Sequence, residues 1–245
     1  VYTGKRVVEA LKVCGVDEIH QGIGRTGIVA VIRGRSVASG AMVGLRADMD
    51  ALPMQELNQF AHTSQHAGKM HACGHDVHIT SMVGTARQMM ARRKEWSGTL
   101  MLIGQPAEEI VGGAKAMMDD QLWKKFGQPD YAITFHVNAA VEAGKIDAVE
   151  GSPWSGVDTV DILIHGQGAH GASPHRGRDP IVIGSQIVLA LQTIISRERA
   201  PRDPAVITVG SFHAGTKSNI IGDNAKLSLT VRNESFETRD MLLKA

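Results

Sequence analysis

The sequence predicts an α/β fold, a mixed sheet flanked by helices, followed by a smaller α+β unit. Three observations carry this. Short apolar runs alternate with helix-length amphipathic stretches as far as Glu150, which argues for a sheet with helices on its faces. One run, Thr99-Leu100-Met101-Leu102-Ile103, is continuous rather than alternating, the pattern of a strand covered on both sides. Beyond Gly151-Ser152-Pro153 the pattern changes: Val160, Ile162 and Ile164 alternate with polar neighbours, as in a half-buried antiparallel strand. Two domains are therefore expected, residues 1–153 and 154–245.

The elements follow in order. Val1, Lys5, Val8 and Leu11 fall near one helical face, and Gly15 stands where a left-handed C-cap belongs. Strands are expected at Val16 to His20, Gly27 to Arg33 and Ala41 to Arg46, the last two separated by the turn residues Gly34-Arg35-Ser36. A long polar loop runs from Ala47 to Gly74. Asp76 precedes a helix to about Arg93 with Ile79, Val83, Ala86 and Met90 on one stripe. A buried strand at Gly98 to Gly104, a helix near Gly112 to Asp119 and a strand at Asp130 to His136 complete the first part. The second part reads as strand, helix (Asp179 to about Arg197), strands (Ala205 to Phe212, Ala225 to Arg232) and a helix from Phe236. That β-α-β-β-α order is a split βαβ arrangement lacking its final strand. With no start methionine before the first helix and Ala245 falling inside the last one, the sequence reads as incomplete at both ends.

Composition excludes several classes. Lys and Arg number 26 against 25 Asp and Glu, and Trp, Tyr and Phe number only 3, 2 and 5, so neither charge nor stacking surface suits nucleic acid. No apolar stretch approaches the roughly 20 residues of a membrane span; the best, Ile181 to Leu191, is interrupted by Gly184, Ser185 and Gln186. Two cysteines make no disulfide framework, and a reducing, cytoplasmic setting is expected.

The chemistry concentrates in four segments. Met70-His71-Ala72-Cys73-Gly74-His75-Asp76-Val77-His78 is the densest. Residues two apart in extended chain point the same way, so Cys73 and His75 can offer sulfur and imidazole to one ion, a ligand set suited to zinc and its neighbours. Cys73 also has two other readings, a small buried thiol and a nucleophile activated by His75. Gln105-Pro106-Ala107-Glu108-Glu109 follows the buried strand. Adjacent carboxylates repel unless a cation lies between them; alternatively, Glu108 and Glu109 are a solvated helix start. His136 follows a Tyr-Ala-Ile-Thr-Phe run expected to be buried, and Arg46-Ala47-Asp48-Met49-Asp50 follows another strand. Ligand-type residues at all four places favour a metal site at the carboxyl ends of the strands over chance surface composition.

In the second part, Gly166-Gln167-Gly168-Ala169-His170 contains Gly-x-Gly but lacks a third glycine and an immediate helix, so a dinucleotide site is rejected. The loop instead presents His170. Arg232 is either a fork for a carboxylate or a sheet-edge charge. The histidines at 20, 62, 66, 71, 78, 165 and 213 are assigned mostly to surface or structural roles.

Leu45-Arg46-Ala47-Asp48-Met49-Asp50-Ala51-Leu52-Pro53-Met54, Lys69-Met70-His71-Ala72-Cys73-Gly74-His75-Asp76, Gln105-Pro106-Ala107-Glu108-Glu109 and Gly168-Ala169-His170-Gly171-Ala172-Ser173-Pro174-His175 occur in this order. Together they resemble the amidohydrolase branch of the metal-dependent aminoacylase/carboxypeptidase family, which includes hippurate hydrolases and N-acyl-amino-acid deacetylases. The resemblance implies a zinc-peptidase-like catalytic domain and a ferredoxin-like lid through which two chains dimerise. It implies two divalent ions, zinc or manganese first, nickel or cobalt as alternatives. Cys73 would bridge them, with His75 and His136 on one ion and Glu109 on the other. Glu108 would be the general base and later the acid. Asp50 would orient a ligand, with Asp48 competing for that role. His170 would reach the substrate oxyanion from the lid, across the dimer, with Asn219 and Arg232 nearby. Two departures stand out: the family's last ligand histidine lies after the lid, beyond this sequence, and Gly222 replaces an expected proline.

The expected function is metal-dependent hydrolysis of an N-acyl amino acid, a small molecule, with no nucleic-acid or membrane partner. A catalytically silent, metal-binding or dimerising remnant and a cysteine hydrolase using Cys73 are the alternatives. Residues 1–245 alone are expected to hydrolyse little and to be poorly soluble.

Overall fold

A computed structural model describes residues 1–245 apart from 39, 152 and 153. The chain divides into two compact units, Val1–Ala143 and Gly144–Ala245. The domain boundary expected at Pro153 lies outside the described residues.

The first unit is built in three layers. Helix α1 (Tyr2–Cys14) ends on Gly15, whose φ of 74° is the left-handed conformation glycine adopts without a Cβ penalty. Strands β1 (Glu18–Ile23), β2 (Gly27–Arg33) and β3 (Met42–Asp48) are followed by the long loop, then α2 (His75–Ala91) and β4 (Thr99–Gln105). Two short helices, α3 (Gly113–Asp119) and α4 (Leu122–Phe126), lead to β5 (Tyr131–Ile133). The strand order is β1-β2-β4-β3-β5. β1, β2 and β4 pair antiparallel, whereas β3 runs parallel to both β4 and β5, so the sheet is mixed. Alternating residues feed two cores. Ile28, Ala30, Ile32, Leu100 and Leu102 meet Val7, Val8 and Leu11 of α1 and Ile79, Met82 and Ala86 of α2. Val29, Met101 and Ile103 meet Met117 and Leu122 of α3 and α4 on the other side. Full burial of each such side chain contributes about 1.5–3 kcal/mol.

Two expectations for this unit need correction. The sequence predicts no helix at α4, because five residues are too few to show helical periodicity. The run Tyr131 to Phe135 is not buried: all three residues of β5 are exposed, and Tyr131 keeps 73% of its surface. β5 is an edge strand, and its apolar composition alone does not reveal that position.

The second unit contains β6 (Gly156–His165), β7 (Ala169–His170), α5 (Pro180–Thr193), β8 (Ala205–Ala214), β9 (Ile220–Ile221), β10 (Asn224–Asn233) and α6 (Phe236–Lys244). β6, β10 and β8 form an antiparallel sheet in that order, and β7 pairs with β9. Asp179 caps α5 by accepting the Ile181 N–H at 2.8 Å, and Ser235 caps α6 by accepting that of Thr238 at 3.0 Å. Ala225, Leu227, Leu229 and Val231 of β10 face a core shared with Ile164, Ile207, Ile194 and Leu242. Lys226, Ser228, Thr230 and Arg232 therefore point to the opposite face.

The helical run of α5 is longer than the apolar stretch read from sequence. Pro180–Glu198 is 19 residues with mean hydropathy 1.4, long and apolar enough by length and composition to cross a membrane. Gly184 does not break it, since the helix packs Ile183, Ile187 and Leu191 against the sheet and Gly184 admits the ring of Phe212.

Candidate metal centre

The carboxyl ends of β3, β4 and β5 point the same way, because these strands are parallel, and Asp48 is paired with Gln105 at that end. Asp50 follows β3, Glu108 and Glu109 follow β4, His136 follows β5, and Cys73 and His75 open α2. All six expected residues of the first unit converge.

Two glycines make the convergence sterically feasible. Gly74, with φ 80°, lies directly before α2, and a Cβ there would sit 2.3 Å from Val137 Cγ2. The chain after β5 can thus pass beside the helix start. After β4, Gly113 lies so close to the Pro106 carbonyl that a Cβ would fall 1.4 Å from its oxygen. The N–H groups of Gly112 and Gly113 both donate to the Ala107 carbonyl, closing the turn that carries Glu108 and Glu109.

Asp50 holds that turn from the other side. Its Oδ1 accepts the backbone N–H of Glu108 at 2.9 Å and its Oδ2 that of Glu109 at 3.0 Å. The Asp50 carbonyl accepts the His75 Nδ1–H at 2.9 Å. A carbonyl can only accept, so Nδ1 carries a proton, and the neutral form of the ring presents a lone pair at Nε2. That Nε2 is buried and without a hydrogen-bond partner, as is Glu109 Oε1. Around Nε2 stand Asp48 Oδ2 and Glu108 Oε2 at 3.7 Å and Glu109 Oε1 at 3.8 Å. A lone pair enclosed by carboxylate oxygens is costly unless a cation lies among them. Cys73 Sγ lies 3.3 Å from His136 Nε2, and the ligand atoms of Cys73, His75 and His136 lie within 4.8 Å of one another, as do those of His75, Glu108 and Glu109. The donor set of sulfur, imidazole and carboxylate fits a divalent cation of the zinc type.

Electrostatics agree with this geometry. Burial, followed by the negative charges of Glu109 and Glu108, pushes the Cys73 thiol up to about 11. Burial also opposes ionisation of Asp48, but the hydrogen bond from His78 and the Arg46 charge outweigh it and hold the carboxyl below its ordinary value. Arg46 donates to Asp48 Oδ2 at 2.7 Å and to Gln105 Oε1 at 2.9 Å. Both acids named in sequence as orienting candidates thus have partners, Asp50 the Glu108–Glu109 turn and Asp48 the histidine His78.

His78, one of the histidines with an expected surface or structural role, is 1% exposed, and its Nδ1 lies 2.6 Å from Asp48 Oδ1. The signal was present in helical spacing, since His75, His78, Ile79, Met82 and Ala86 form the buried stripe of α2. Asp48, His75 and His78 make a further group whose ligand atoms lie within 4.8 Å of one another. A cavity of about 700 Å³ borders the centre through Met49 and Asp50 and extends to Phe60, His66 and Lys69, without reaching Cys73 or Glu108.

In the second unit, His170 on β7 pairs with Ile220, and the Gly171 N–H donates to the Asn219 carbonyl at 2.9 Å, so His170 and Asn219 are neighbours. Arg232 is not beside them. It lies eight residues along β10 from Asn224, about 27 Å at roughly 3.4 Å per residue, paired with Val157 and Val206. Within this chain it lies toward the opposite end of β10 from the β7–β9 pair.

The profile described as "Peptidase family M20/M25/M40" matches residues 44–241. Hippurate hydrolase of Campylobacter jejuni is 40% identical over 239 residues, 98% of this chain and 61% of that protein. N-acetyl-L-cysteine deacetylase of Bacillus subtilis is 37% identical over 218 residues, 89% of this chain and 51% of that protein. A crystal structure of a dinuclear metal-binding peptidase of the M20 family from Bacillus subtilis superposes with a TM-score of 0.75 at 33% identity, covering 100% of this chain and 61% of that one. The chain thus spans between half and two thirds of the length of these relatives. The profile match runs from β3 into α6 and takes in every residue of the centre, and the chain belongs to peptidase family M20/M25/M40, in its amidohydrolase branch.

Proposed function

We propose that this chain carries the metal centre and part of the substrate site of a metal-dependent amidohydrolase acting on N-acyl amino acids. The observation that carries the reading is the pair of buried, partnerless acceptors, His75 Nε2 and Glu109 Oε1, facing each other at 3.8 Å beside Cys73 and His136. In this reading Cys73, His75, Glu109 and His136 would hold two divalent ions, zinc or manganese first, nickel or cobalt as alternatives. A bound divalent cation supplies Lewis acidity toward an amide carbonyl and makes water a stronger acid.

Glu108 then does the proton transfer. Its side chain is 40% exposed, so it can reach both ion and solvent. It accepts a proton from the attacking water and gives it to the departing amine, so that amide and water become carboxylic acid and amine, which in neutral water are carboxylate and ammonium. Asp50 keeps Glu108 and Glu109 in register through their N–H groups. His170 and Asn219 would meet the acyl oxygen of substrate, and Arg232 its carboxylate, with the second unit acting as a lid and joining two chains into a homodimer. The names of the relatives, which include hippurate hydrolase and N-acetyl-L-cysteine deacetylase, support an N-acyl amino acid as substrate. Two free cysteines support a reducing, cytoplasmic setting, and neither nucleic acid nor membrane is invoked.

The test is turnover of N-acetyl and N-benzoyl amino acids by the gene product that contains this chain, before and after chelation and after return of Zn²⁺ or Mn²⁺. Loss on chelation and recovery with metal is expected. Activity that survives chelation but is lost in Cys73→Ala would replace the reading with a cysteine hydrolase.

A further inference from the structure

His78 holds three consecutive residues of the segment after β5 without belonging to it. Its Nε2 lies 3.0 Å from the backbone nitrogen of Val137 and accepts that N–H. Its ring lies edge-on to His136, with centroids 4.6 Å apart at 68°, and edge-on to Phe135 at 5.4 Å. The acceptor role of Nε2 requires the ring proton on Nδ1, where Asp48 Oδ1 takes it at 2.6 Å. Both nitrogens are therefore engaged. Although Asp48, His75 and His78 cluster tightly enough to resemble a ligand set, His78 has no lone pair left for an ion.

The segment that His78 grips has other ties as well, among them the contact of His136 Nε2 with Cys73 Sγ at 3.3 Å. β5 is an exposed edge strand of three residues, so its pairing with β3 ends at Ile133, before the ligand histidine. The side chain of Thr134 donates to the Arg46 carbonyl at 3.3 Å, a long hydrogen bond. His136 Nδ1 donates to the carbonyl of Val137, at 2.6 Å, so the orientation of the His136 ring depends on where that carbonyl sits. The N–H that His78 holds belongs to the adjoining His136–Val137 peptide, on the other side of the Val137 Cα, so His78 fixes the backbone that carries both the ring and its acceptor.

We propose that His78 is a positioning residue: through the Val137 N–H and the face of the His136 ring, it aims His136 Nε2 at Cys73. Asp48 sets its tautomer and so acts on the centre through the same path. The inference rests on the metal-centre reading, because aiming His136 matters only if that ring binds an ion. Partners of metal-binding histidines commonly change metal affinity about 10–100-fold when removed.

Two substitutions separate this role from a merely structural one. In His78→Gln the side-chain amide oxygen falls near the place of Nε2 and can still accept the Val137 N–H, while the contact to Asp48 is lost. In His78→Asn the amide nitrogen falls near the place of Nδ1 and can still donate to Asp48, while the Val137 contact is lost. Both are made in the gene product containing this chain, loaded with Co²⁺, and read by Co²⁺ affinity, the thiolate-to-cobalt absorption band and the melting temperature. The expected result is that Asn weakens Co²⁺ about 10–100-fold and alters the band, while Gln stays within about threefold of the unsubstituted protein. Equal losses in both, or a larger loss in Gln, would overturn the proposal in favour of a simple need to satisfy Asp48.

A measurement without substitution decides the case if either variant fails to fold. Nitrogen NMR of the unsubstituted protein should show the His78 ring protonated at Nδ1 only, with a coupling across the hydrogen bond between His78 Nε2 and the Val137 amide. A ring protonated at Nε2 would refute the proposal. If the unsubstituted protein takes up no cobalt, the metal-centre reading falls, and this NMR result alone decides the hydrogen bond.

Discussion

Asp50 and Glu108 are joined through the backbone rather than through their acids: Asp50 Oδ1 accepts the Glu108 N–H at 2.9 Å, and its other oxygen takes the next N–H along the turn. The same residue's carbonyl fixes the proton of His75. One position therefore sets the proton position on His75 and the placement of Glu108.

Asp50→Asn tests this coupling. An amide offers an N–H₂ where the carboxylate accepted, so one of the two turn N–H groups faces a donor and is left unsatisfied. The expected cost is about 1–3 kcal/mol of stability, with turnover reduced at least about tenfold. Denaturant unfolding and steady-state kinetics check it, and a neutral variant would remove Asp50 from the account.

Gly74→Ala should be far worse than its size suggests. The new methyl would require φ of 80° in a residue with a Cβ and would lie 2.3 Å from Val137 Cγ2. A loss of about 1–3 kcal/mol is expected, accompanied by weaker metal binding because Val137 must move next to His136. Gly84, inside α2 with nothing within 4 Å of its added Cβ, is the control. Gly84→Ala should stabilise by about 0.5–1 kcal/mol.

Most of the centre was legible because its signals are local. Cys73, His75, Glu108 and Glu109 stand at strand or helix ends that the apolar periodicity marks, and Gly15 announces the end of α1. What was hidden depends on tertiary position. The Tyr131 to Phe135 run has the composition of a core strand, and only the order β1-β2-β4-β3-β5 puts it at an edge. The place of His78 on the buried stripe of α2 is readable, but its partners, Asp48 and Val137, are distant in sequence and are not.

Metal binding should release a proton from Cys73. Its thiol is pushed up to about 11 by burial and by Glu109 and Glu108, so it is neutral in the metal-free chain at pH 7, whereas the ligand is the thiolate. Apparent affinity should therefore rise with pH, about tenfold per unit between about pH 8 and 10, where the thiol still holds its proton in the free chain. Chelator competition measures the slope. Cys73→Ser should flatten it; an unchanged slope would show that another group supplies the proton.

Glu108→Gln should keep its metal and lose at least about 10² in kcat, the lower end for general acid–base catalysis. The turn itself is held by Asp50 through backbone N–H groups, so the substitution should leave the melting temperature nearly unchanged. Near-normal turnover would assign proton transfer elsewhere.

The most direct measurement is an anomalous-difference map from crystals of the gene product containing this chain, grown with Zn²⁺ and recorded at the zinc edge. The account predicts density within bonding distance, about 2.0–2.3 Å, of Cys73 Sγ, His75 Nε2 and His136 Nε2, with Glu109 beside it. No density there, or density held instead by Asp48, His75 and His78, would contradict the account.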